Sequence, residues 1–234
     1  MSIRENVERI RSEIALAAPE RRVYIVAATK MNGAENVREA IAAGVDACGE
    51  NRVQELLEKD ALGAYAGAPK HFIGHLQTTK GTTVVGRVDL IQSVDSEELL
   101  RLIDRRAAAL GTVQDVLIEI SIAGEAQKSG IAPEELPRLL GFAGSCGHVR
   151  VRGLMCVPPV EEKTGENQVY FAHMRQLFVD NGGKKYDNVS MDLLSMGMTS
   201  DYLEAVCAGA NMVRIGTGIF GARDYGATKQ LEEK

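Results

Sequence analysis

The stretch DLIQSVDSEELLRLIDRRAAALGTVQDVLIEISI, residues 89–122, carries the reading that decides the fold. Its first six residues are a short run of strand length with Leu90, Ile91 and Val94 apolar. Asp95 or Ser96 then supplies an N-cap, residues 96–110 place apolar side chains at helical spacing, and Gly111 stops the helix. A second strand-like run, VLIEISI, begins at Val116. Strand, helix, strand in this order predicts parallel strands joined by a helical crossover.

The same rhythm extends in both directions. Towards the N-terminus, VYIVAA from Val23 precedes a helical pattern over residues 35–43 closed by Gly44, and VDACGE from Val45 precedes RVQELLEK. HFIGH from His71 precedes a weaker segment, LQTTK. Towards the C-terminus, APEELPRLLGFAGS follows the second strand, VRGLMCV precedes ENQVYFAHMRQLFVD, NVSMDLLSM precedes TSDYLEAVCAG, and MVRIGT comes last. Ile3, Val7, Ile10 and Ile14 predict one further helix before the first strand. Eight strands in strict alternation predict a single (β/α)8 TIM-like barrel with an extra N-terminal helix. An open doubly wound sheet is the structural alternative. No Pro/Gly/Ser-rich linker divides residues 1–234, so one domain is expected.

The bulk numbers exclude several classes. A formal charge of −5 over 234 residues argues against a general nucleic-acid binder. No apolar run reaches the ~18 residues of a membrane helix, and the charged, amphipathic N-terminus does not read as a signal peptide. Four cysteines without a CxxC pair read as reduced thiols, so a cytoplasmic location is expected. His71 and His75 have the i, i+4 spacing of a helical metal site. Within a strand they would lie about 13 Å apart, too far to share an ion, so no metal is expected.

In a barrel, function sits at the C-terminal ends of the strands. The first strand exits at Lys30, the second at Gly49–Asn51, the third at Gly74 and His75, the seventh at Ser195–Asp201 and the eighth at Arg214–Gly221. A lysine at such an exit either simply reaches water or, partly dehydrated at a cavity mouth, serves as a nucleophile toward carbonyls. Gly197, Thr199 and Ser200 after the seventh strand, and Gly216, Thr217 and Gly218 after the eighth, read either as ordinary turns or as a phosphate cup of hydroxyls and backbone N–H groups. Arg214 reads as a carboxylate partner or as the cation facing a flat heteroaromatic ligand. Pyridoxal phosphate (PLP) offers an aldehyde for the lysine, a phosphate for the cup and a ring nitrogen for the arginine.

Several stretches resemble the PLP homeostasis protein family: AATK ending at Lys30, GENRVQE from Gly49, HFIGHLQTTK from His71, KSG at Lys128, RGLM from Arg152, LSMGMTSD from Leu194 and MVRIGTGIFGARDY from Met212. The resemblance implies the barrel of the alanine racemase N-terminal domain. It implies a Schiff base at Lys30, phosphate contacts at Thr199, Gly216 and Thr217 with Ser200 beside them, Arg214 facing the pyridine ring, and Asn51 near it. Lys128 resembles a motif lysine implicated in PLP exchange; its other reading is a solvated surface lysine. Thr199 stands where the family often has serine, Asn32 where many members carry a second lysine, and Thr79 where asparagine is common. The implied role is to bind and buffer PLP and to deliver it to PLP-dependent apoenzymes, without robust catalysis and as a monomer. Two alternatives remain. A racemase of this fold needs a second acid/base and a second, β-rich domain, which the few residues after Thr217 are not expected to supply. A class I aldolase carries its lysine on a late strand with an acid/base beside it.

Overall fold

The structure, a computed structural model, describes residues 1–124, 129–160, 164–183 and 186–221. Lys128 and the side chain of Thr79 lie outside the described residues. Eight parallel strands form one closed barrel in sequence order: β1 Tyr24–Ala28, β2 Ala47–Glu50, β3 Lys70–Phe72, β4 Leu90–Val94, β5 Gln114–Ile120, β6 Val149–Cys156, β7 Val189–Ser195 and β8 Met212–Ile215. Closure comes from β8 pairing with β1, with Val26 opposite Arg214. The doubly wound alternative is thereby excluded.

The helices are α1 Ile3–Ala17, α2 Ala34–Ala42, α3 Val53–Ala61, α4 Thr78–Val84, α5 Glu97–Leu110, α6 Leu136–Ala143, α7 Gln168–Gly182, α8 Tyr202–Cys207 and α9 Thr217–Phe220. Local chemistry sets their ends. Ser2 and Glu5 form a capping box at α1. Ser96, not Asp95, caps α5, accepting from the Leu99 amide, and Gly111 ends it at φ 64°. The expected N-terminal helix buries Ile3, Val7, Ile10 and Ile14 against Val213, Ile215 and Ile219, covering the β1/β8 side of the barrel.

Successive side chains of a strand face opposite sides. Outward residues such as Ile25, Ala27, Val213 and Ile215 meet the helices. Inward residues build layers. The lower interior is an apolar plug of Val26, Ala47, Leu90, Leu117, Met155 and Met212, with Tyr24 and Leu193 packed on it. Two residues further along, the same strands place Gln92, Glu119, Ser195 and Arg214, all buried and polar. Two residues beyond Arg214 stands Gly216, and four beyond Val26 and Ala47 stand Lys30 and Asn51. The barrel therefore runs from an apolar floor through a polar layer to the mouth.

Candidate functional site

Lys30 sits half-buried on the turn after β1, and both of its neighbours are held by a buried charge cluster. The Lys59 ammonium donates to the Thr29 carbonyl at 2.7 Å, to Glu50 Oε1 at 2.6 Å and to Glu55 Oε2 at 3.1 Å. The Thr29 hydroxyl donates to the same Glu50 oxygen at 2.8 Å, and Glu55 accepts from the Met31 amide at 2.7 Å. Met31 adopts φ 62°, a left-handed conformation that an ordinary side chain enters only when the surroundings impose it. Burial pushes the Glu50 carboxyl above its ordinary value, while Lys59 and Thr29 pull it back. The β1–α2 turn is thus clamped on both sides of the lysine.

Asn51 follows β2, and its backbone lies so close to Gly74 that any Cβ there would collide with the Asn51 carbonyl. Its Oδ1 is buried without a hydrogen-bond partner. The cup residues come together across two loops. Thr199 Oγ1 accepts from the Gly218 amide at 3.1 Å, which leaves its hydroxyl proton to donate elsewhere. Asp201 secures the first loop by accepting from the Met198 amide at 2.6 Å and from Asn167 Nδ2 at 3.0 Å. Ser200 and Thr217 are exposed at the rim. Packing does not demand glycine at Gly216: a Cβ there would stand 3.6 Å from Ala28, an ordinary contact. Its absence leaves the cradle open.

Arg214 is buried, and its guanidinium donates to Ser195 Oγ at 2.7 Å and to the Cys156 carbonyl at 2.8 Å. Burial lowers its pKa, opposed by the fields of Cys156, Glu119 and Asp201. Arginine nonetheless remains charged. Glu119 was not singled out from the sequence. It is buried on the inward face of β5 with Oε2 unpartnered. Burial first, and the field of Asp95 second, push its pKa up to about 7 against the pull of Arg214. The signal was present in the sequence: a carboxylate set between Ile118 and Ile120 in the apolar run from Val116, at the parity of the barrel interior. The same reading marks Gln92 in LIQSV.

The two histidines have different partners. His71 points into the barrel and bonds Gln92, while His75 is exposed, 2.9 Å from Ser129 Oγ and 3.6 Å from Asp95. No cluster of three or more metal-ligating side chains occurs among the described residues.

Comparison with known proteins decides the family. The family model for the alanine racemase N-terminal domain matches residues 1–224. A pyridoxal phosphate homeostasis protein of Pseudomonas aeruginosa is 38% identical over 97% of this chain and 98% of its own. One of Escherichia coli K12 is 39% identical over 95% and 97%. The chain belongs to the pyridoxal phosphate homeostasis protein family. Among solved structures, this family member is similar to PipY of Synechococcus elongatus PCC7942 with PLP bound, at 33% identity and TM-score 0.83, covering 94% of this chain and all of that one. An alanine racemase of Clostridium difficile superposes with TM-score 0.73 at 16% identity, over 95% of this chain but 58% of the racemase, a likeness of fold alone. The barrel is therefore that of the alanine racemase N-terminal domain, as the homeostasis-family resemblance implied.

Proposed function

We propose that this protein binds PLP through Lys30 and takes part in intracellular PLP homeostasis, holding the cofactor as a reversible tether rather than as an engine of catalysis. The observation that carries the reading is the register of β1 and β8. Val26 opposite Arg214 brings Lys30, Arg214 and Gly216 to one side of one barrel mouth. The homeostasis-protein relatives and PLP-bound PipY support the choice of ligand.

The residues present fit the group. Gly216 leaves a cradle that a Cβ would fill, and Asn51 Oδ1 and Glu119 Oε2 are buried polar atoms in need of a partner. In this reading Lys30 supplies the amine. Gly216, Thr217, the Thr199 hydroxyl and Ser200 hold the phosphate, Asn51 lies beside the ring, and Arg214 faces the ring nitrogen. PLP, when bound, brings a reactive aldehyde and an electron-withdrawing ring. A buried cation at the nitrogen disfavours the protonated ring, the stronger electron sink. That is the physical ground for weak catalysis, and the relatives' names, which describe homeostasis and not an enzyme, agree with it. Lys128 keeps its proposed part in exchange by resemblance alone. We read the chain as one cytoplasmic domain acting as a monomer on PLP and PLP-dependent apoenzymes; no helix among the described residues is long and apolar enough to cross a membrane.

Borohydride reduction of the PLP-loaded protein should fix the label on the peptide containing Lys30. Incubation with a panel of L- and D-amino acids should give turnover well below ordinary enzyme rates of about 1 per second. Label confined to another lysine would sink the site. Fast turnover lost in Lys30→Ala would replace the tether with an enzyme, Glu119 then being the first candidate acid/base.

A further inference from the structure

Arginine only donates hydrogen bonds, so Ser195 Oγ accepts from Arg214, and the one Ser195 proton then needs an acceptor inside a dry layer. Its guanidinium donates to Ser195 Oγ at 2.7 Å. The Ser195 hydroxyl in turn donates to Gln92 Oε1 at 2.7 Å. The carboxamide orientation follows, so Gln92 Nε2 is the donor toward His71 Nδ1 at 3.0 Å and the Met212 sulfur at 3.2 Å. His71 Nδ1 must then accept, and its ring proton sits on Nε2.

We infer that Ser195, Gln92 and His71 are positioning residues for Arg214: a one-way chain of neutral groups that holds the guanidinium at the barrel mouth without cancelling its charge. The inference rests on the reading that Arg214 meets the ring nitrogen. Every link presents its acceptor end toward the arginine, so the dipoles stabilise a cation that burial has stripped of water. The chain is dry. Ser195 and Gln92 are completely buried, Arg214 is 4% exposed and His71 7%.

A carboxylate in the place of Gln92 would stabilise the arginine equally well, but would neutralise the field felt by a ring nitrogen. Charged groups do face the guanidinium: Asp201 contributes a field from the β7–α8 loop and Glu119 from β5. Asp201 spends its carboxylate on Met198 and Asn167. Burial holds Glu119 towards its neutral form. On the far side of the chain, His71 feels Asp89, yet burial dominates and keeps its pKa down at about 4. The layer directly below is a packed apolar plug that needs no polar neighbour. A fully buried glutamine and serine cost desolvation that they recover through Arg214 and His71, with a weak further bond to the Met212 sulfur.

The test has two independent arms. On the apoprotein, nitrogen NMR of labelled histidine should show His71 as the Nε2–H tautomer, unprotonated from pH 5 to 8. Gln92→Glu should raise its pKa into that range. A His71 proton on Nδ1 in the wild type would overturn the chain whatever the ligand. On the loaded protein, Ser195→Ala, which deletes one oxygen, and Gln92→Leu should each weaken PLP binding about three- to tenfold and shift the pH profile of the cofactor's visible absorption. In the Arg214→Met background, Ser195→Ala should cost nothing further. Fully additive losses would show that the chain does not act through Arg214. If the wild-type protein takes up no PLP at all, the functional reading fails and the NMR arm still decides the chain.

Discussion

Lys59 illustrates how a residue remote from the chemistry can govern it. Its ammonium is shared by two carboxylates and a carbonyl, and its side chain is only 9% exposed. Removing one partner of such a cluster leaves uncompensated charge in a dry setting, at a cost of about 3–5 kcal/mol. Lys59→Met is therefore expected to lower stability by that amount in urea unfolding, and to slow the labelling of Lys30 by PLP and borohydride, because the turn that presents the lysine is no longer clamped. An unchanged midpoint would mean that the cluster is solvated and holds nothing. Sequence reading reached Lys30, Asn51 and Arg214 because each stands at a strand exit. It gave Glu50 no role within the Gly49–Asn51 exit, and it passed over Lys59 and Glu55, because a charged residue on an amphipathic helix usually faces water. Only the fold shows that Lys59 turns inward beneath β1 and β2.

At the scale of elements, helix positions were legible where caps and periodicity agreed, as at α5, where both ends carry a capping residue. Two differences have physical causes. HFIGH reads as a strand over residues 71–75, yet β3 ends at Phe72. Gly74 there abuts the Asn51 backbone, so the chain leaves the sheet to support the β2 exit. Gly216–Gly218 read as a turn or a phosphate cup after the last strand, yet Thr217–Phe220 forms α9, tied to α1 by Asn6 Nδ2 donating to the Ile219 carbonyl at 2.9 Å. That tie spans most of the chain, and no local pattern announces it. The β7/β8 seam is similar. Ser195 opposite Met212 is its sole register pair among the described residues. Asn211 completes the seam by accepting from the Leu194 amide at 2.7 Å and donating to the Asp192 carbonyl at 2.6 Å. Asn211→Ala should cost about 1–3 kcal/mol through the stranded Leu194 amide. Hydrogen exchange should accelerate first at β7 and β8, the strands that carry the phosphate loops. Uniform acceleration over all eight strands would show that the seam is no weaker than the rest.

At the scale of the whole molecule, two buried groups oppose each other in the pH dependence of stability. Glu119 rises from an ordinary 4.5 to about 7 through burial, helped by Asp95 and resisted by Arg214. Between those values the folded chain holds a proton that the unfolded chain has lost, so stability falls as pH rises, by about 1.4 kcal/mol per unit. His71 falls from 6.5 to about 4, also through burial, with Asp89 resisting. Between those values the unfolded chain holds the extra proton, so stability falls as pH drops, with the same slope and the opposite sign. From pH 4.5 to 6.5 the two contributions cancel, and neither is visible in the wild type. Substitution separates them. Relative to wild type, Glu119→Gln should become progressively more stable as pH rises from 4.5 to 7. His71→Gln should do so as pH falls from 6.5 to 4. Urea unfolding of the apoprotein at half-unit pH intervals measures both difference curves. Curves that stay flat would mean that water reaches the polar layer, and the barrel interior beneath Arg214 would then be wet rather than dry.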